Sequence, residues 1–156
     1  MLFRSDIGKL GTPDAILGKP GALSEAEWTT MKQHPHHGHA ILCRVPQLAE
    51  IAEWVKHEHE WYNGRGYPDG LVGEAIPLAS RIIAVADAFD AMTTDRAYRK
   101  GMPAPRAIEN LRQGAGSQFD PEVLRAFLSA YEQGRIQPLP QTSSPVSAPA
   151  SQGDPL

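Results

Sequence analysis

The sequence predicts an all-helical domain followed by a disordered tail. Three observations carry that prediction. Apolar residues recur at three- and four-residue spacing, helix-capping signals precede several of these runs, and no stretch shows the strict alternation of a half-buried strand. The 156 residues are 41% hydrophobic and 21% charged, which suits one globular domain with a real core. That domain is expected over residues 1–136. From Gln137 onward, "QPLPQTSSPVSAPASQGDPL" is rich in Pro, Ser and Gln and has no apolar pattern to bury, so residues 137–156 are predicted to be disordered.

Each helix has its own signal. "SEAEWTTMKQH" opens on a capping box, with Ser24 at the cap and Glu27 three residues later. "VPQLAEIAEWVKHEHE" places Leu48, Ile51, Ala52 and Val55 at helical spacing after Pro46, and this helix is expected to end at Glu58 and His59. In "IPLASRIIAVADAFDAMTTD", Leu78, Ile82, Val85, Phe89 and Met92 form one stripe, while Ile83, Ala84, Ala86, Ala88 and Ala91 leave no polar face. A helix of this kind is expected to be buried nearly all round. In "FDPEVLRAFLSAYEQG", Asp120 caps and Pro121 takes the first helical position. Val123, Leu124, Phe127, Leu128 and Tyr131 then make the stripe, and Gly134 stops it.

Charge and cysteine usage exclude several classes. A formal net charge of -3 and a pI near 6.0 argue against a general nucleic-acid binder, so any polyanionic ligand must meet a local basic cluster. The single cysteine, Cys43, cannot form an internal disulfide, and a cytoplasmic setting is expected. No apolar run approaches the roughly 18 residues of a membrane span, and "MLFRSDIGK" lacks the apolar core of a secretory signal.

The buried helix carries Asp87 and Asp90, and a buried carboxylate is costly unless it is paired, hydrogen-bonded or bound to metal. Asp90 is assigned to solvent or to a local backbone bond, and Asp87 to a site. Other candidate donors are Asp6, His34, Glu58 and His59. A mixture of imidazole and carboxylate suits iron, manganese or zinc better than calcium. As neighbours on a helix, Glu58 and His59 should diverge by about 100°. They would then serve two metals, or one would orient the other. The histidines of "HPHHGHA", His36, His37 and His39, are assigned ordinary structural or surface roles. For His57 such a role weighs at least as much as that of a substitute donor.

Taken together, "DIGKLGTPDAILGKPGALSEAEW", "MKQHPHHGHAIL", "HEHEWYNGRGYPDGLVGEAIPLASRIIAVADAFDAMTTDRAYRK" and "GSQFDPEVLRAFL" resemble, in order and spacing, the HD-GYP family of cyclic di-GMP phosphodiesterases, a branch of the HD metal-dependent phosphohydrolases. The resemblance runs from about Asp6 to about Tyr131. It implies an HD-type helical bundle with two or three divalent metals, iron or manganese, that hydrolyses cyclic di-GMP to the linear dinucleotide pGpG or onward to GMP. Asp6 matches the aspartate of the HD pair. His34, His59 and Asp87 match further metal-binding positions, and Glu58 stands where the family has the first histidine of "HHE". Lys9 corresponds to a lysine near the scissile phosphate, and Arg96 and Arg99 to basic positions that meet the ligand's phosphates. Their ordinary alternative is a solvated helix end. Tyr67 is the tyrosine of GYP, and in this family the GYP loop is also a candidate docking point for a diguanylate cyclase-type partner. Paired metals of this sort supply a nucleophile at neutral pH and neutralise charge on a phosphodiester.

Two departures from the family pattern stand out. Position 5, where the histidine of the HD pair belongs, is Ser5, a poor ligand beside imidazole for these metals. The family's domain also begins some helices earlier, so the bundle is expected to be incomplete at the N-terminus, with any receiver or sensory domain upstream of Met1. A chain without those helices should expose apolar surface and self-associate. Two other functions compete with the phosphodiesterase: a regulatory interaction module without catalysis, and an HD phosphohydrolase acting on another nucleotide. "LFRS" is what a sequencing-adapter end would encode, so residues 1–5 are expected to be non-native. Sequencing the genomic locus checks this, and the expected outcome is different codons upstream of Asp6.

Overall fold

The computed structural model describes residues 4–95 and 100–138. Arg96, Arg99 and most of the expected tail lie outside the described residues. Among the described residues, seven α-helices follow a 3-10 helix at Arg4–Gly11: α1 (Asp14–Leu17), α2 (Glu25–Met31), α3 (His34–Leu42), α4 (Ala49–Lys56), α5 (Leu78–Thr93), α6 (Ala104–Gln113) and α7 (Pro121–Glu132). Among the described residues there is no strand, only the isolated bridges Asn63–Val72 and Ala115–Phe119.

Local signals set the helix ends. The Ser24 hydroxyl accepts from Glu27 N–H at 3.3 Å and the Glu27 carboxylate accepts from Ser24 N–H at 2.6 Å, so both halves of the capping box form. At the start of α7, Asp120 accepts from the amides of Glu122 and Val123 at 2.7 and 3.4 Å, and Pro121 follows it where no amide is needed.

The chain packs as two linked groups of helices. In the first, the N-terminal 3-10 helix lies against α3, and α3 against α4. In the second, α5, α6 and α7 enclose Val85, Phe89, Ala107, Ile108, Leu111, Phe119 and Leu124. Backbone bonds join the groups. Tyr62 N–H reaches Gln118 O at 3.2 Å and Asn63 N–H reaches Ser117 O at 2.9 Å, while the Ser80 hydroxyl donates to Trp54 O at 2.8 Å. The loop between α4 and α5 is therefore tied to the turn that starts α7.

Two sequence expectations are corrected. Helix α5 is not buried all round: Leu78 is 56% and Ile82 50% exposed, because the core that α6 and α7 build reaches Val85, Phe89 and Met92 in its C-terminal half. Helix α4 ends at Lys56, so His57, Glu58 and His59 stand on a turn beyond it. Ile51 faces solvent, and Ala52 and Val55 carry the buried face.

One ion pair that the sequence pattern did not announce anchors this half. Arg81 Nη1 donates to Asp120 Oδ2 at 2.5 Å, while the other Asp120 oxygen caps α7. Burial pushes the Asp120 carboxyl up, but the bonds from Arg81 and the two amides outweigh it and hold the group below its ordinary value. A depressed folded-state pKa means that the stabilisation is complete above about pH 4 and is lost as pH falls further. Asp120→Ala removes the cap and leaves Arg81 without its partner, an expected loss of about 2–4 kcal/mol. Asp120→Asn keeps a capping oxygen and should lose less. Denaturant melts of both variants at pH 7 and near pH 3 check this, the difference from wild type shrinking at the lower pH.

Candidate metal centre

His34 is the first residue of α3 and is buried. Its Nδ1 lies 2.8 Å from Met31 O, and a carbonyl can only accept, so Nδ1 carries the proton. In the neutral ring Nε2 is then a lone pair. Burial, the main cause, holds the His34 pKa below its ordinary value and keeps the ring neutral. Nε2 points at His59 Nε2, 3.0 Å away.

His59 reaches this point from the turn after α4. Burial, then competition with the neighbouring His34 ring for a proton and the charge of Lys9, push its pKa down to about 4. Its ring stacks on Tyr67 with centroids 5.0 Å apart and planes at 25°, and Tyr67 N–H donates to His59 O at 3.2 Å. Glu58, also buried, brings Oε1 to 3.6 Å from His59 Nε2. The donor atoms of His34, Glu58 and His59 all lie within 4.8 Å of one another. The expected divergence of Glu58 and His59 is thus corrected: outside a helix, successive side chains can converge.

Asp6, on the N-terminal 3-10 helix, holds Lys9 Nζ at 2.6 Å. Asp87, on α5, lines a cavity of about 220 Å³ with Glu58, His59 and Tyr67. Burial first, then the negative charge of Glu58, Asp6 and Asp87, pushes the Tyr67 hydroxyl up to about 12. One tyrosine therefore senses all three carboxylates, and residues far apart in sequence share one neighbourhood. Asp90 stays local, accepting from the Thr94 hydroxyl at 3.1 Å.

The residues present fit a divalent cation. His34 has its second nitrogen committed to a backbone carbonyl, the usual way a ligand imidazole is oriented. Both rings are held neutral, and the carboxylates around them supply negative charge that a cation would balance.

The other two members of "HEHE" build the loop. His57 donates through Nδ1 to Glu53 O at 2.9 Å and bonds Asp69 through Nε2 at 3.0 Å, with Lys56 Nζ on the same Asp69 oxygen at 2.7 Å. Glu60 is buried, and its Oε1 accepts from the amides of Asp69 and Gly70 at 2.7 and 2.9 Å. Sequence reasoning missed Glu60, although an acid just before a glycine-rich loop was a signal for amide capture. It also passed over Lys32, whose Nζ sits 5.6 Å over the Tyr67 ring. The bland assignment of His39 agrees with its bond to Glu53 at 2.8 Å.

A family profile described as an HD domain matches residues 2–123. The chain belongs to the HD-domain family. Among its relatives, the cyclic di-GMP phosphodiesterase response regulator RpfG of Xanthomonas campestris pv. campestris is 44% identical over 136 residues, covering 85% of this chain and 34% of the relative. A cyclic di-GMP phosphodiesterase of Thermotoga maritima is 45% identical over 125 residues, covering 79% and 34%. The HD-domain chain thus spans about a third of the length of these relatives. The crystal structure of a cyclic GMP-AMP-specific phosphodiesterase of Vibrio cholerae, V-cGAP3, superposes with a TM-score of 0.63 at 20% identity over 85% of this chain and 37% of that one, which shows a shared fold.

Close backbone approach holds this HD-domain site together at two glycines. A Cβ on Gly8 would lie 1.8 Å from His34 O, so the 3-10 helix that carries Asp6 and Lys9 touches the start of α3 directly. On Gly66 it would lie 2.1 Å from Trp61 N, closing the loop onto the turn after Glu60. Gly8→Ala is expected to destabilise the fold by about 1–3 kcal/mol and to weaken binding of a divalent cation at the candidate centre roughly tenfold or more. Thermal melts with and without manganese read both effects, and the metal-induced rise in Tm should shrink in the variant.

Proposed function

We propose that the protein carrying this chain is a metal-dependent phosphodiesterase that hydrolyses cyclic di-GMP to pGpG or onward to GMP. The convergence of His34, Glu58 and His59 beside Asp87 is the observation that supports this most directly. The ligand set would be Asp6, His34, Glu58, His59 and Asp87, holding two or three ions, with iron or manganese suited to mixed imidazole and carboxylate donors. When bound, the metals supply a nucleophile at neutral pH and neutralise charge on the phosphodiester.

The chain's own residues do the rest. Asp6 holds the Lys9 ammonium at the edge of the site, where it can stabilise negative charge that grows on the phosphoryl oxygens or on the departing sugar oxygen. The Tyr67 hydroxyl, raised to about 12, stays protonated at neutral pH and serves as a hydrogen-bond donor to substrate. Arg96 and Arg99 would pair with the substrate's phosphates and supply the local basic cluster that an acidic protein needs. The RpfG relative is named a response regulator, which supports an upstream receiver or sensory segment here, and the proposed setting is the cytoplasm. No helix among the described residues is long and apolar enough to cross a membrane. A diguanylate cyclase-type partner would dock on the exposed end of the GYP loop around Asp69 and Gly70.

The test uses the full-length protein from its locus. Wild type should carry bound metal and convert cyclic di-GMP, followed by chromatography against cyclic GMP-AMP as the competing substrate. Asp87→Ala should lower metal content and cut turnover by about a hundredfold or more. A wild-type protein loaded with metal that leaves cyclic di-GMP intact would end this assignment.

A further inference from the structure

The cavity beside Glu58, His59 and Asp87 does not end at those residues. Trp61 and Tyr67 also line a second groove of about 540 Å³, which residues of α2 help to bound. That volume lies in the ordinary range for a small-molecule site. Trp28, on α2, and Trp61 are 47% and 38% exposed, and both line the groove. Indoles in this position offer flat apolar faces on which a nucleobase stacks.

Cations frame the same space. Lys32 caps the C-terminus of α2, with Nζ 5.6 Å from the Tyr67 ring centre. Arg65 stands at the tip of the GYP loop, where its amide donates to Asn63 Oδ1 at 3.1 Å. Among the described residues neither Lys32 nor Arg65 has an acidic partner within salt-bridge range, whereas Lys9, Lys19, Lys56 and Arg81 all do. Among the described residues Glu25 is the single acid lining the groove, against Lys32 and Arg65, so the described lining carries net positive charge. Two cations without an acidic partner among the described residues and two indoles lining one groove match a ligand with a flat ring and a phosphate. Tyr67, which stacks on His59, lines both spaces, so a ligand in the groove lies close to the candidate metal centre.

We propose that this groove is a specificity subsite that binds one purine base of the cyclic dinucleotide between Trp28 and Trp61, with Lys32 and Arg65 on the adjoining phosphate. The proposal rests on the phosphodiesterase function assigned above. Trp28 and Arg65 touch substrate in it without touching the reacting atoms, so their loss should appear in KM.

The experiment uses metal-loaded full-length protein and two exposed positions where substitution is easily tolerated. Trp28→Ala and Arg65→Ala should each raise KM for cyclic di-GMP about tenfold, with kcat within about threefold of wild type and metal content unchanged. Trp28→Phe, which keeps a stacking face, should recover most of that KM. An unchanged KM overturns the proposal. So does a joint fall of kcat and metal content, which would mark a structural role. In parallel, GMP is titrated against the intrinsic tryptophan fluorescence, and the expected quenching should weaken in Trp28→Ala. If wild type quenches with GMP yet leaves cyclic di-GMP intact, the groove stands as a purine site and the phosphodiesterase assignment falls. Turnover of cyclic di-GMP without quenching overturns the purine subsite and leaves the phosphodiesterase assignment standing.

Discussion

Two imidazole nitrogens 3.0 Å apart, from residues 25 positions apart in the chain, can share that spacing only through a proton or a cation. Much of the molecule exists to bring them there. Gly8 lets the 3-10 helix touch the first turn of α3, which fixes Asp6 and Lys9 beside His34. Met31 O turns the His34 ring so that Nε2 faces inward. On the other side, Tyr67 stacks on His59, and Gly66 closes the loop that carries Tyr67 onto the turn that carries His59.

The "HEHE" stretch shows how one short segment serves two purposes. Once α4 stops at Lys56, the side chains divide: His57 and Glu60 turn toward the loop and Glu58 and His59 toward the site. Glu60 satisfies two loop amides that burial would otherwise leave costly. The loop is in turn bonded to Ser117 and Gln118, just before the cap of α7. Helix packing in the C-terminal half is thereby coupled to the position of His59, with Asp120 and Arg81 as the electrostatic clamp between α5 and α7.

Much of this was legible in advance, and the pattern of successes has a physical cause. The capping box of α2 and the Asp120–Pro121 start of α7 are local hydrogen-bond problems, solved within four residues, so the local sequence contains the answer. The burial of α5 was overestimated because hydrophobicity states a preference without naming a partner, and α6 and α7 cover only its C-terminal half. Glu58 and His59 were expected to diverge because the helical period was carried past Lys56. No Gly or Pro marks that end, and the loop bonds of His57 and Glu60 fix it.

The sequence by itself determined an all-helical chain, its capping signals and the residue types able to bind a divalent metal, since composition, period and donor chemistry are properties of neighbours along the chain. The family resemblance supplied which of those donors belong together. Only the tertiary structure decided how far they converge: a tight cluster of His34, Glu58 and His59, with Asp6 held by Lys9 and Asp87 across the cavity. It also decided that Trp28, Trp61, Lys32 and Arg65 open onto one groove. Those distances depend on where glycine backbones touch and on which loop amides a buried carboxylate captures, and such contacts join residues that no sequence period relates.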